Sequence, residues 1–343
     1  NNATGTGTIA DNNDHVSLSV DSPATESEGT DIIFTVTLST GTDVDLLVDV
    51  VPASGSAVAP GDFTDAAGTV TFGAGSIAGA TQSFTVPTID DSVVEADETF
   101  TVTASSTHGA FDGNSATGTG TIADLGDSYE VSISAVTPGN NVTEGTDPNV
   151  TFTIELANVD LTNGVVGTVT VDYETFDGTA HAGSDYSAFS GFASFSGAYN
   201  PVDVIVLVMD DFHVEGPETF DFVISGPTST LASVALGAVT SETVTIDDDS
   251  VDAYTVGTSI SPSTNVTEGT NPSIDFTVAL TNVDPFNGVA NGPVTVDYTT
   301  ADGTATDGSD YTGTAGAPVT LTFADGSTGS QTVTVGITDD NLV

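Results

Sequence analysis

The sequence predicts an all-β chain of tandem antiparallel, immunoglobulin-like β-sandwiches laid end to end as an extended rod. Three observations predict it: apolar residues alternate with period two in short runs, Gly, Asn, Asp and Pro turns separate those runs without helical periodicity, and the pattern returns roughly every 120 residues. Each unit opens on a Glu-Gly-Thr turn, at Glu28, Glu144 and Glu268. The run after it carries Ile32, Phe34, Val36 and Leu38, then Val150, Phe152, Ile154 and Leu156, then Ile274, Phe276, Val278 and Leu280. A second run holds Leu46, Val48 and Val50, with counterparts Val169, Val171 and Tyr173, and Val294, Val296 and Tyr298. A third holds Phe84 and Val86, then Val204, Val206 and Val208, then Val333, Val335 and Ile337, and stops at the paired acids Asp90-Asp91, Asp210-Asp211 and Asp339-Asp340. Two units continue into Glu-Thr-Phe strands, at Phe100 and Val102 and at Phe220, Phe222 and Ile224. Period two turns one face of each run into a core.

These landmarks divide the chain into residues 12-125, 126-249 and 250-343, three successive repeats. Residues 3–11 read ATGTGTIAD, as residues 116–124 do, so residues 1-11 are expected to be the last strand of a preceding repeat. The third repeat is C-terminally incomplete, since it stops at Asn341-Leu342-Val343 before a Glu and two further strands. The expectation is a window on a longer array, or a subunit whose missing strands a neighbour supplies, because an unfinished sandwich exposes a sheet edge.

Composition narrows the function. The chain of 343 residues has 49 Asp and Glu, no Lys, no Arg and no Cys, for a net charge of -49. Without cationic side chains it cannot neutralise phosphates or anionic head groups, which excludes nucleic acid and the membrane surface as partners. Without Cys there is no disulfide, thiolate metal site or Cys nucleophile, and without Lys no Schiff base or isopeptide staple. The longest apolar stretch, residues 204–209, is far short of the ~20 residues that span a bilayer. Catalysis has no footing: there is no G-x-S-x-G elbow, and paired carboxylates of a glycosidase need aromatic platforms where this chain has no Trp. The histidines, His15, His108, His181 and His213, share no repeat position and read as solvent-exposed, with only His213 inside a candidate metal loop.

The acids recur at equivalent positions of the repeats, at strand ends and in loops. If those loops meet at one pole, carboxylates at ~4 Å repel by about 4 kcal/mol at an effective dielectric of 20, and positive charge must come from outside the chain. Hard oxygen donors in flexible loops suit Ca2+ better than Mg2+ or Zn2+. A solvated acidic surface explains the missing Lys and Arg but not the positional recurrence.

The order Glu-Gly, then VDYxTxDGTAxxGxDY, then IxDDxxxExxETF, then a closing Asp run resembles the Calx-beta domain, known from sodium/calcium exchangers, integrins and giant bacterial surface proteins. The motif is fullest in residues 171–186 and 296–311. The resemblance implies calcium ligands at the turn Glu, the DGTA Asp, the DD-x-x-x-E-x-x-E group and the closing Asp run. In the second repeat these fall on Glu144, Asp177, Asp210, Asp211, Glu215, Glu218, Asp247, Asp248 and Asp249. The third offers Glu268, Asp302, Asp339 and Asp340. The first has Ser54 where Asp177 and Asp302 stand, so weaker or fewer ions are expected there, while it keeps Glu28, Asp90, Asp91, Glu95, Glu98 and Asp124, with Asp127 a further candidate. Asp62, Asp185 and Asp310 recur before an aromatic residue and read as turn caps rather than ligands.

The sequence therefore points to a non-enzymatic, calcium-binding rod of an extracellular or cell-surface prokaryotic adhesin, matrix fibre or filament. Its partners are neighbouring repeats or copies of itself, and a surface glycan or cell-surface ligand. Two rivals stand beside it: a carbohydrate- or ice-binding adhesive module using Thr-rich faces such as residues 117–121, and a calcium sensor or buffer.

Overall fold

A computed structural model describes residues 3–7, 15–108, 115–261 and 265–340, which are all-β with no helix. In the first repeat the strands are β1 (Leu18–Val20), β2 (Glu26–Ser27), β3 (Ile32–Leu38), β4 (Leu46–Ser54), β5 (Gly68–Phe72), β6 (Thr81–Val86), β7 (Glu98–Ser105) and β8 (Ala116–Ala123). The second has β9 (Ser128–Thr137), β10 (Asn141–Thr143), β11 (Asn149–Ala157), β12 (Val165–Asp177), β13 (Ser190–Gly197), β14 (Val202–Leu207), β15 (Glu218–Ser229), β16 (Ser233–Leu236) and β17 (Ser241–Asp247). The third has β18 (Thr255–Ser261), β19 (Ser273–Thr281), β20 (Val294–Tyr298), β21 (Tyr311–Thr312), β22 (Val319–Phe323) and β23 (Ser330–Ile337). Residues 3–7 form no strand, and the rest of the segment expected as a leading strand lies outside the described residues.

The second repeat is a two-layer sandwich, with sheets ordered β14-β11-β9-β16 and β10-β17-β15-β12-β13. The first repeat pairs a sheet β1-β3-β6 with β2-β8-β7-β4-β5. The alternation read from the sequence is the burial pattern: inner residues of β3, β4, β7, β11 and β15 are buried while their neighbours stay exposed or half-exposed. Phe152 stacks on Phe222 at 4.1 Å and meets Phe220 edge-on at 6.5 Å, and Phe34 meets Phe100 in the same edge-on way at 5.7 Å. Gly120 lets β8 lie flush on that cluster, since a Cβ there would stand 2.7 Å from the Phe100 ring.

The third repeat has one sheet β18-β19-β23-β21 and a two-stranded sheet β20-β22. The strand that flanks β12 in the second repeat, β15, has no counterpart among the described residues, so Ile274, Phe276, Val296 and Tyr298 are only half-buried.

Two unobtrusive pairings position the acids. β2 runs parallel to β8 and β10 parallel to β17, continued by Glu28 N–H donating to the Ala123 carbonyl at 3.0 Å and Glu144 N–H to that of Asp247 at 3.1 Å. The turn Glu is thereby held beside the closing Asp run.

Truncating the central ring by Phe152→Ala is expected to cost about 3–5 kcal/mol, because the fully buried site cannot collapse around it. Urea denaturation should show one repeat's transition moving to lower denaturant while that of the first repeat stays in place.

Candidate metal centres

Each of the first two repeats gathers its acids into two groups at one end of the sandwich. The first group follows from the parallel pairing: Glu28 with Asp124 and Asp127, and Glu144 with Asp248 and Asp252. The second forms because the loop after the second run is tied to the end of the third. Ile89 N–H donates to the Asp62 carbonyl and Met209 N–H to that of Asp185, both at 2.9 Å, next to the paired acids. This joins Asp62 to Glu95 and Glu98, and Asp185 to Glu215 and Glu218. Asp211, His213 and Glu215 make a further group in the second repeat. In every group the ligand atoms lie within 4.8 Å of one another.

Burial is deep for like charges at such range. Glu144 is 2% exposed, Glu218 4%, and Glu28, Glu98, Asp185 and Glu215 5% each. Loss of hydration, reinforced by neighbouring carboxylates, pushes Glu215 up from the usual 4.5 to about 9. The same cause takes Glu144, Glu218 and Glu98 to about 8 and Glu95 to about 7. Several oxygens have no hydrogen-bond partner: Glu144 Oε1, Glu215 Oε1, Asp127 Oδ2, Asp248 Oδ1 and Asp252 Oδ2. Buried acceptors are normally satisfied, so orphaned carboxylate oxygens within these acidic groups fit cation ligation. All donors but His213 are oxygens, which fits a hard cation such as Ca2+.

Asp210 and Asp249 flank the turn itself. Gly145, at φ 65°, has their carboxylate oxygens 2.9 and 2.8 Å from where a Cβ would stand, which excludes any larger residue. Asp247 faces the strand edge and accepts from Asn141 Nδ2 at 2.7 Å. Asp91 donates its N–H to Glu28 at 3.5 Å and accepts that of Val93 with its own carboxylate. Asp90 stands against Gly29 as Asp210 stands against Gly145. In the third repeat Glu268 is exposed, Asp339 lies beside Gly269, and Glu268, Asp302, Asp339 and Asp340 enter no such group among the described residues.

Asp177 is placed away from the groups. Its Oδ1 accepts the Tyr186 hydroxyl at 2.6 Å and Ala182 N–H at 2.9 Å, and these bonds hold its carboxyl below the usual value. Asp302 repeats this with Tyr311 at 2.7 Å and Asp307 N–H at 2.8 Å. The first repeat explains the pairing: Ser54 stands for the Asp and Phe63, without a hydroxyl, for the Tyr. The Asp latches the Tyr, and the first repeat keeps its Asp62–Glu95–Glu98 group without either. Asp62, Asp185 and Asp310 do cap their turns, accepting N–H groups of Val58, His181 and Thr306. Asp62 and Asp185 also aim an oxygen into a group, a dual role that turn chemistry alone does not reveal. His213 is half-buried rather than exposed, its Nδ1 2.6 Å from Asp211 Oδ2. Asp252 was legible as Asp-x-x-Asp, since Asp249 and Asp252 match Asp124 and Asp127.

Fold and site together define a tandem β-sandwich protein whose first two repeats end in buried, oxygen-lined acidic groups. The Calx-beta domain profile matches residues 11–125, 131–250 and 258–343, and the chain belongs to the Calx-beta domain family. Among solved structures it is similar to the apo-form CBD1 domain of Calx, at 27% identity over 36% of this chain and 99% of that one, with a TM-score of 0.30. It is also similar to CBD12 of CALX1.2, at 18% identity over 67% of this chain and 98% of that one, with a TM-score of 0.31. CBD12 of CALX1.1, described as a calcium binding domain, is 19% identical over 66% and 99%, with a TM-score of 0.30. No curated protein sequence matches the chain.

Carboxyls that hold protons more tightly folded than unfolded favour the fold fully below about pH 4.5, and that contribution drains away as pH rises through about 7 to 9. In EGTA the melting temperature should therefore fall between pH 5 and pH 9, by roughly 5 °C or more, and excess calcium should flatten the profile. Asp177→Ser alone strands a buried hydroxyl and should cost about 1–3 kcal/mol, most of it regained in the Asp177→Ser/Tyr186→Phe double variant. Calorimetric calcium titration should give the same stoichiometry for both, whereas Asp185→Asn should lose an ion.

Proposed function

We propose that this chain is a calcium-binding structural array, a Ca2+-stiffened rod within an extracellular or cell-surface adhesin, matrix fibre or filament of a prokaryote. One observation carries the reading: at the repeat ends each acidic group sets at least one near-fully buried carboxylate within 4.8 Å of its neighbours' ligand atoms, several with orphaned oxygens, in a chain that has no Lys or Arg to neutralise them. Membership of a family of calcium-binding modules supports the choice of ion. The cation supplies the absent positive charge. Glu28, Asp124 and Asp127, Asp62, Glu95 and Glu98, Glu144, Asp248 and Asp252, and Asp185, Glu215 and Glu218 would hold it, with Asp90, Asp91, Asp210, Asp211 and Asp249 close by.

The chain's own part is connectivity. Asp124, Asp127, Asp248, Asp249 and Asp252 lie where one repeat passes into the next, so drawing them towards Glu28 or Glu144 anchors the linker. Without the cation, the same charges repel and loosen it. At millimolar calcium and a dissociation constant near 10^-4 M, one site adds about 1 to 3 kcal/mol to a repeat by mass action. Neighbouring repeats, or further copies of the chain, are the partners of such a rod.

The adhesive reading keeps one supporting observation. β7 and β8 set three threonine pairs opposite one another, Thr99 with Thr121, Thr101 with Thr119 and Thr103 with Thr117, on the outward face. Such a regular hydroxyl array is what a carbohydrate- or ice-binding surface requires.

Small-angle scattering and melting with and without calcium decide between the readings. The rod predicts a longer maximum dimension and a melting temperature raised by about 5 °C or more with calcium, both removed by Glu144→Gln with Asp185→Asn. Identical curves in EGTA would falsify it. A sensor or buffer predicts instead a large shape change within one repeat, and the adhesive surface predicts glycan retention or ice shaping lost in Thr101→Leu.

A further inference from the structure

The acidic loop that supplies each inner group also touches the following repeat. Between Asp91 and Glu98, Val94 turns the other way: it is fully buried and belongs to the hydrophobic core of the second repeat. Val94 bridges in parallel to Val159, and its N–H donates to the Asn158 carbonyl at 2.8 Å. The next boundary repeats this, Val214 pairing with Val283 and donating to the Asn282 carbonyl at 2.9 Å.

The receiving loop is the same at both places, Asn-Val-Asp-x-x-Asn-Gly over residues 158–164 and 282–288. Asn158 and Asn282 take positive φ, at 62° and 59°, a conformation Asn tolerates well. The buried Asp160 folds the loop by accepting N–H groups of Thr162 and Asn163, as Asp284 does for Phe286 and Asn287. The last Asn is thereby aimed backwards: Asn163 Nδ2 donates to Glu98 Oε1 at 2.7 Å, and Asn287 Nδ2 to Glu218 Oε1. A cavity of about 230 Å³ at the first boundary is lined by Asp62, Glu95 and Glu98 from one repeat and Asp160 and Asn163 from the next. In the first repeat the corresponding stretch, residues 39–45, reads STGTDVD and lacks the motif.

We propose that the Asn-Val-Asp-x-x-Asn-Gly loop is a docking key that makes the inner acidic group of the preceding repeat a cation site shared by two repeats, with Asn163 and Asn287 as positioning residues for Glu98 and Glu218. The inference rests on the cation reading above and deepens it. An amide donor on one carboxylate oxygen fixes which oxygen remains for the ion, and outer-shell donors of this kind typically govern affinity by about 10 to 100-fold. Docking and cation binding are then linked, each strengthening the other.

The test uses the full chain. Calcium titration by calorimetry, with terbium emission as a second readout, is compared for the unsubstituted protein, Asn163→Leu, Asn287→Leu and the surface control Asn200→Leu. Each boundary variant should weaken one class of site by about tenfold or more, leaving the other sites and the control unchanged. Where a leucine variant does not fold, Asn163→Ser or Asn287→Ser replaces it. Equal affinities, even with a lower melting temperature, overturn the shared site while leaving calcium binding intact. No calcium uptake by the unsubstituted chain overturns both readings.

Discussion

Burying carboxylates together is costly unless positive charge offsets it, and this chain does so repeatedly. Two such groups within 4.8 Å repel by roughly 3 kcal/mol at an effective dielectric of about 20, and no Lys or Arg is present to offset it. The deeply buried acids are not scattered through the core. They sit where strands end: Glu28 and Glu144 after the short strands β2 and β10, Glu98 and Glu218 at the first residues of β7 and β15. There the backbone direction is set by ladder hydrogen bonds, so side chains cannot simply swing into water to relieve repulsion. The sheet geometry that stabilises each sandwich is the same geometry that holds its acids together.

How far this was legible in the sequence depends on which kind of order each feature obeys. Long strands were legible because period two survives any loop length: Ile32, Phe34, Val36 and Leu38, like Val150, Phe152, Ile154 and Leu156, all point inward, while Ile33, out of phase with its run, is exposed. The short strands β2 and β10 were not, since two or three residues carry no period, yet they bring the turn Glu to the closing Asp run. Half-burial of Phe276 could not be read from its own run, and follows instead from the lack of a flanking strand among the described residues, which the interrupted third repeat did announce.

The acids show the same division. The resemblance put Asp177 among the ligands and turn chemistry made Asp185 a cap, although both have counterparts in the third repeat. What separates them is the first repeat, where Asp62 persists while the Asp177 position becomes Ser54 and the Tyr186 position becomes Phe63. Read as a pair, that double change states that the Asp serves the Tyr hydroxyl. His213 had no recurrence to reveal it, since Val93 occupies its place in the first repeat. Contacts across a boundary, such as Asn163 to Glu98, join residues far apart in sequence through a loop that looks like an ordinary turn.

Tandem domains are commonly described as beads whose stabilities add, with a nearest-neighbour term for each interface. Here that term cannot be separated from electrostatics, because residues 90–98 and 210–218 supply both the docking valine and the clustered acids. Val94 and Val214 favour docking at all times. The acids beside them oppose a rigid boundary when unneutralised, since docking confines them further from water, and favour it once positive charge is present, since docking then excludes the water that would screen it. On the cation reading the electrostatic part of the interface term would therefore change sign with occupancy while every apolar contact stays the same. On the proposed reading, an array built this way would couple more strongly along its length when the ion is bound, on top of the apolar docking that Val94 and Val214 supply without it.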